Sequence, residues 1–488
     1  MGDLAWKKRG SFYYPKKALR YHAVVLGNTG SGKSVTLERC AYGTRKVYRQ
    51  QVIYLDAKGE TKREDEMSQD SAARFVAAMH AAGANNVPVF PSLYYNGWQG
   101  TPTELKNRLL SVIDYSESPY YGDVAANVLD LALNAPTTPR SSAHFLENLH
   151  LDRLKAIYKD NPLQYRRVLA LDKRLLEEVR MRYQVFFAAV AGQLDGTLDY
   201  ASADAVYLRV RGFVLRAEAP CLGRFLVADF MHYISERRRP GVQTLFIIDE
   251  FNALRMREET SLLFEQVRSF GGNLIISAQG YAGLGPTEYA ERILDACSLH
   301  VLHACSDPGP VSRRAGKKFF IDVSYSEDED GVQRRHIKPR WDWRISETSV
   351  MQQEEGQAFW SYKARAQHVM TAPVPITSKQ VMEAWQDIHR LEAIQRQLLE
   401  VEARRREAEA AQKQQHANNQ KQKTVTSGTQ QTPRPGARNT KKPSNKSTGS
   451  SKARQHTSSP EVSQTPGPAA PQPSPPVSNL DDDEPDRL

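Results

Sequence analysis

The sequence predicts an α/β fold: a mostly parallel sheet, interrupted by an all-helical insertion and followed by a disordered C-terminal tail. Three observations carry this expectation. Short apolar runs alternate with helical stretches as far as about residue 377. Residues 101–203 show helical periodicity with no clear strand. From residue 413 the chain is Gln, Asn, Ser, Thr, Pro and Lys with almost no large apolar side chains, too few to offset the entropy of ordering. The expected segments are therefore 1–100 and 204–377 as two parts of one core, with 101–203 as the helical insertion. A charged helix at 378–412 and a basic tail with an acidic end at 413–488 complete the chain.

The strands come first. Runs at 21–26, 52–56, 87–90, 205–210, 245–249, 273–277 and 299–303 are short and rich in Val, Ile, Leu and aromatic residues. Several are apolar at successive positions, the pattern of strands buried on both faces of a parallel sheet. In the charged helix, Trp385, Ile388, Leu391, Ile394, Leu398 and Val401 recur at three- and four-residue steps. After Val401 no apolar face remains, so the helix is expected to fray into the tail.

Composition narrows the function. At 488 residues, the chain is long enough for about three domains. No run reaches the roughly 18 apolar residues of a membrane-spanning helix, and the best, 185–192, is far shorter. The first residues lack the apolar stretch of a secretory signal. Cys40, Cys221, Cys297 and Cys305 form no CxxC pair, which argues against a disulfide scaffold or a zinc site. The formal net charge is +10, but residues 413–480 hold ten basic residues against one acidic, and the last eight hold five acidic against one basic. Half of the basic excess thus lies in the tail, and charge alone is a weak pointer to nucleic acid.

The motifs say more. Gly27-Asn28-Thr29-Gly30-Ser31-Gly32-Lys33-Ser34 follows one apolar run and precedes a helix-like segment. Glycines let a loop turn its backbone N–H groups inward around phosphates. Lys33 is then expected to reach the β- and γ-phosphates of ATP, and Ser34 to ligate Mg²⁺. The run at 244–248 ends in Asp249 and Glu250. At the C-terminal edge of a sheet these face a P-loop, Asp249 holding a metal-bound water and Glu250 polarising the attacking water. Gln279, after the strand at 273–277, reads either as a γ-phosphate sensor or as a turn residue facing solvent. Arg268, ahead of Gly271 and Gly272, reads either as a catalytic cation or as a complement to a helix dipole. His22, His232, His300 and His303 are scattered and read as packing or surface residues. Arg237 to Arg239 reads as a solvated helix end, and Tyr94 to Trp98 and Tyr120-Tyr121 as packing.

Taken together, 27–34, Tyr54-Leu55-Asp56-Ala57-Lys58-Gly59-Glu60, Asp249-Glu250-Phe251, Arg268 with Gly271, and Ser277-Ala278-Gln279 resemble the type IV secretion coupling proteins of bacterial conjugation, within the FtsK/HerA group of DNA motors. The resemblance spans roughly 15–375, with 101–203 in the position of the family's all-alpha domain. Ala57 stands where that motif usually has proline. The resemblance implies a RecA-like P-loop NTPase core, a homo-hexamer around DNA, and hydrolysis of ATP with Mg²⁺. It also implies that Arg268 reaches a neighbour's nucleotide. Partners implied are DNA without sequence preference, a relaxase complex engaged through the acidic C-terminus, and type IV secretion channel proteins. Many coupling proteins carry an N-terminal membrane anchor and this sequence shows none, so the expected location is cytoplasmic or peripheral at the inner membrane. Two other readings share the motifs: a HerA-like translocase in DNA processing or defence, and a substrate adaptor that uses nucleotide as a switch.

Overall fold

Seven parallel strands form the centre of the fold, and they are the seven runs expected from the sequence. The computed structural model describes residues 4–6, 10–12 and 21–426, apart from 61, 116–117, 257–258, 328–332 and 364. The parallel strands are β3 (His22–Leu26), β4 (Gln51–Asp56), β5 (Val89–Phe90), β6 (Ala205–Arg209), β7 (Thr244–Asp249), β8 (Gly272–Ala278) and β9 (Cys297–Leu302). Two short strands precede them, β1 (Leu4–Trp6) and β2 (Gly10–Phe12), paired antiparallel. Downstream lie β10 (Lys317–Glu327), β11 (Gln333–Trp343), β12 (Gln357–Tyr362) and β13 (Arg365–Met370). The nine-stranded sheet has the order β13-β12-β9-β3-β8-β7-β4-β6-β5, with β12 and β13 added antiparallel at the β9 edge.

Alternate residues of each central strand face opposite layers. Val24, Leu26, Ile53 and Leu55 enter one apolar core, and Ala23, Val25, Val52 and Tyr54 enter the other. The second layer holds α1 (Lys33–Tyr48) and α2 (Ser71–Ala81). Helices of 101–203 contribute to the first: α3 (Pro102–Val112), α4 (Pro119–Leu133), α5 (Ser142–Asn148), α6 (Leu151–Tyr158), α7 (Pro162–Leu169) and α8 (Lys173–Val190). Their starts are written locally. Thr101, Ser141, Asn161 and Asp172 accept backbone N–H bonds as N-caps, and proline opens α3, α4 and α7. Then come α9 (Gly212–Leu215), α10 (Glu218–His232), α11 (Glu259–Val267), α12 (Thr287–Ala296), α13 (Gly309–Arg314), α14 (Glu347–Met351) and α15 (Ser378–Thr426).

Several features depart from the expectation. The hairpin β12–β13 extends the sheet where no strand was expected, because Gln357, Ser361, Arg365 and Gln367 interrupt its apolar residues. The antiparallel ribbon β10–β11 stands outside the nine-stranded sheet, with Phe319, Ile321, Ile337 and Trp341 exposed. The charged helix begins as expected, with Val381, Ala384 and Ile388 buried and the Trp385 indole donating to the Lys62 carbonyl at 3.3 Å. It does not stop near 412 but continues to Thr426; residues 413–423 are mostly Lys and Gln, which favour helix, with Asn418 and Asn419 less suited to it. The rest of the tail, including the acidic end, lies outside the described residues.

The arginine run is no solvated helix end. Arg237 pairs with Asp229 at 2.5 Å, and Arg239 donates to the Ala203 carbonyl at 2.6 Å. Tyr95 and Trp98 pack as expected, whereas Tyr120 and Tyr121 are exposed. Among the described residues, no helix is long and apolar enough to cross a membrane.

Candidate functional site

The loop at 27–34 joins β3 to α1 at the C-terminal edge of the sheet. Its backbone is anchored on the neighbouring strands: Gly27 N–H donates to the Ala278 carbonyl at 3.2 Å and Asn28 N–H to the Ala304 carbonyl at 2.7 Å. Gly30 and Gly32 sit at φ +80° and +98°, the left-handed region in which a side chain is strained. A Cβ on Gly32 would also lie 2.8 Å from the Gly356 backbone. The loop therefore turns tightly and presents the N-terminus of α1, a natural anion site.

Lys33 is buried and turns its ammonium back onto the loop, donating to the Gly27 carbonyl at 2.6 Å and the Asn28 carbonyl at 3.1 Å. Burial pulls its pKa down, and the nearby Glu250 and Asp249 partly offset this. The Ser34 hydroxyl donates to Asp249 Oδ2 at 3.5 Å. Strand order explains this proximity: β8 lies between β3 and β7, so two strand ends far apart in sequence open onto one edge.

Asp249 is held on several sides. Tyr54 on β4 donates its hydroxyl to Oδ2 at 3.0 Å, and Ser277 on β8 donates to Oδ1. The Glu250 N–H adds a bond to Oδ1 at 3.0 Å. Glu250 itself adopts φ +55°, unusual for a residue with a side chain, in the turn directly after β7. Its carboxylate meets Lys58 Nζ at 3.2 Å through Oε2 and accepts from Gln279 Nε2 at 3.4 Å through Oε1. Asp56, in register with Asp249 across β4 and β7, has its pKa pushed up to about 6 by burial and then by Asp249. The Tyr207 hydroxyl donates to it at 2.7 Å.

The structure thus brings together Gly27 to Ser34, Asp249, Glu250 and Gln279. Arg268 is elsewhere. It follows α11 and precedes β8, at the opposite edge of the sheet from the loop, with its guanidinium 4.5 Å from the centre of the Tyr21 ring. Sequence reasoning assigned no individual role to Tyr54, Lys58 or Ser277, and read His303 as a packing or surface residue. His303 follows β9, and its N–H donates to the Leu26 carbonyl at 2.8 Å. Its imidazole meets the Thr36 hydroxyl at 2.9 Å, and burial lowers its pKa to about 4. His303 is fully buried and packs in the core, in line with that reading. No group of three or more His, Cys, Asp or Glu residues suited to a metal occurs among the described residues.

No protein-family model matches the chain, and no curated protein does. Solved structures do. The bacterial conjugative coupling protein TrwBdeltaN70, in its unbound monoclinic form, matches with a TM-score of 0.56 at 15% identity, over 75% of this chain and 87% of that one. The fold is that of a conjugative coupling protein. TrwB in complex with ADP and Mg²⁺ matches with a TM-score of 0.55 at 14% identity, over 75% and 89% of the two chains. TrwB with the non-hydrolysable analogue GDPNP gives 0.54 at 15%, over 75% and 88%. At the level of fold, the expected RecA-like P-loop NTPase architecture and the resemblance to coupling proteins both hold.

Proposed function

We propose that this chain is an ATP-driven, homo-hexameric motor that moves DNA as the coupling protein of conjugative or mobilisable transfer. It would link a DNA–relaxase complex to a type IV secretion channel, working in the cytoplasm or peripherally at the inner membrane. The observation that carries the reading is the meeting of Lys33, Ser34, Asp249 and Glu250 at one sheet edge of a coupling-protein fold.

The donor set fits a hard cation beside phosphate: a serine hydroxyl at a helix N-terminus and a carboxylate 3.5 Å away, with no soft ligand. Ser34 and Asp249 would hold Mg²⁺, which when bound neutralises charge on the β- and γ-phosphates of ATP. Lys33 would exchange its bonds to Gly27 and Asn28 for phosphate oxygens. Glu250 would orient the attacking water and accept its proton, and Gln279, already bonded to Glu250, would sense the γ-phosphate. Arg268, remote from its own site, would act on the nucleotide of a neighbouring subunit. We further read 1–100 with 204–377 as the ATPase core, 101–203 as the inserted helical domain, and the tail as the relaxase contact.

The test is ATP hydrolysis by the wild-type chain and by Lys33→Ala. The variant should lose turnover while keeping its fold by circular dichroism, since the ammonium acts on phosphate charge rather than on packing. Near wild-type turnover in the variant would overturn the assignment.

A further inference from the structure

We infer that Lys58 is a positioning residue for Glu250, fixing the general base through an ion pair that bridges two strand ends; this rests on the function proposed above. Lys58 lies in the turn after β4, and Glu250 in the turn after β7, its hydrogen-bonded neighbour in the sheet. Lys58 Nζ and Glu250 Oε2 are 3.2 Å apart, with 46% of the lysine side chain exposed but only 16% of the glutamate side chain. The pair thus joins a largely buried carboxylate to a lysine that reaches solvent.

Glu250 needs such a tether. It sits at φ +55°, a conformation that costs a residue with a Cβ on the order of 1 kcal/mol or more and persists only where surroundings enforce it. Its backbone N–H is fixed by Asp249 at 3.0 Å and by the Ser277 hydroxyl at 3.2 Å, but those bonds leave the side chain free to rotate. Among the described residues, the carboxylate's polar contacts are Gln279, at a long 3.4 Å, and Lys58. A neutral amide at that distance is weak, and the buried Oε2 accepts no hydrogen bond among the described residues, so the Lys58 ammonium 3.2 Å away holds it by charge rather than by a directed bond.

Lys58 is itself held in place. Its N–H donates to Asp56 Oδ1 at 3.1 Å. Gly59 packs so closely that a Cβ there would lie 2.5 Å from Arg209 Cγ and 3.0 Å from Asp56 Oδ2. The turn at 56–59 is thus shaped around Asp56, and it aims the lysine across β4 to β7. Lys33, by contrast, donates to the loop carbonyls and is committed to phosphate. The two lysines divide the work: Lys33 meets the nucleotide and Lys58 meets the base.

The experiment compares wild type, Lys58→Met and Lys58→Arg in steady-state ATP hydrolysis, with affinity for a fluorescent ATP analogue measured separately. Glu250→Gln serves as the control for the underlying reading. Lys58→Met should lower kcat about 10- to 100-fold, leave KM and nucleotide affinity within about twofold, and be largely rescued by Lys58→Arg. A wild-type or raised kcat in Lys58→Met would overturn the inference, as would a loss of nucleotide affinity matching the loss of rate, or no rescue by arginine. Those results leave the ATPase reading standing so long as Glu250→Gln abolishes turnover. An active Glu250→Gln would instead remove the reading on which the inference rests.

Discussion

Tyr54 and Tyr207 stack side by side on adjacent parallel strands, ring centres 5.2 Å apart and planes within 13°, and each gives its hydroxyl to a different carboxylate. Tyr54 bonds Asp249 at 3.0 Å and Tyr207 bonds Asp56 at 2.7 Å. The stack thus fixes two buried carboxylates beneath the P-loop edge, one of them the proposed metal ligand. Tyr54→Phe keeps the stack and removes one donor, so it should cost about 1 kcal/mol of stability. Its larger effect should be a several-fold rise in the Mg²⁺ concentration needed for half-maximal ATP hydrolysis. An unchanged Mg²⁺ titration would show that the bond does not orient Asp249.

A second expectation concerns pH. The His303 imidazole is buried, and burial first, then Lys33, holds its pKa down at about 4. A base depressed in the folded state stays neutral there while the unfolded chain binds a proton below about pH 6.5. The stability it contributes is full above that value and is lost as pH falls toward 4. Between pH 7 and pH 4.5, the stability of wild type relative to His303→Gln should fall by on the order of 2 kcal/mol. His22 and His300, present in both proteins, cancel in the difference. A pH-independent gap in urea unfolding would contradict this assignment.

Asp229 anchors 101–203 to the strand-bearing part of the chain. Its carboxylate pairs with fully buried Arg108 on α3 at 3.0 Å and with Arg237 at 2.5 Å, and accepts the Tyr95 hydroxyl. Asp229→Ala strands a buried cation, at a cost of about 3–5 kcal/mol. Urea unfolding checks this; a change below about 1 kcal/mol would mean that water replaces the pair without difficulty.

Arg268 yields a complementation test. Its place at the far sheet edge removes it from the loop at 27–34 of its own chain, so the proposed catalytic role requires a neighbour. Mixing Arg268→Ala chains with Lys33→Ala chains, each inactive alone, should restore part of the turnover, because some interfaces then pair an intact loop with an intact arginine. No recovery after verified subunit mixing would leave Arg268 as a surface residue stacked on Tyr21.

The parts legible in the sequence were those determined locally. The seven parallel strands are buried on both faces, so each is written as an apolar run. The P-loop glycines answer to backbone geometry alone. What the sequence hid depends on strand order. Tyr54 and Asp249 are 195 residues apart and meet only because β4 and β7 are neighbours in register. Lys58 and Glu250 meet for the same reason. The hairpin β12–β13 escaped because an edge pair carries polar residues at half its positions, and α15 ran past its expected end because helix propensity persists after the apolar face is lost.

The most direct measurement of the central claim is ATP turnover by the full chain, with and without single- and double-stranded DNA, across a salt series, beside Glu250→Gln. A DNA motor grips the phosphate backbone at every register, so DNA of unrelated sequences should stimulate hydrolysis equally, and the stimulation should fall steeply as salt rises. Glu250→Gln should bind ATP and DNA yet turn over slower by orders of magnitude. Hydrolysis indifferent to both forms of DNA at low salt would contradict the motor.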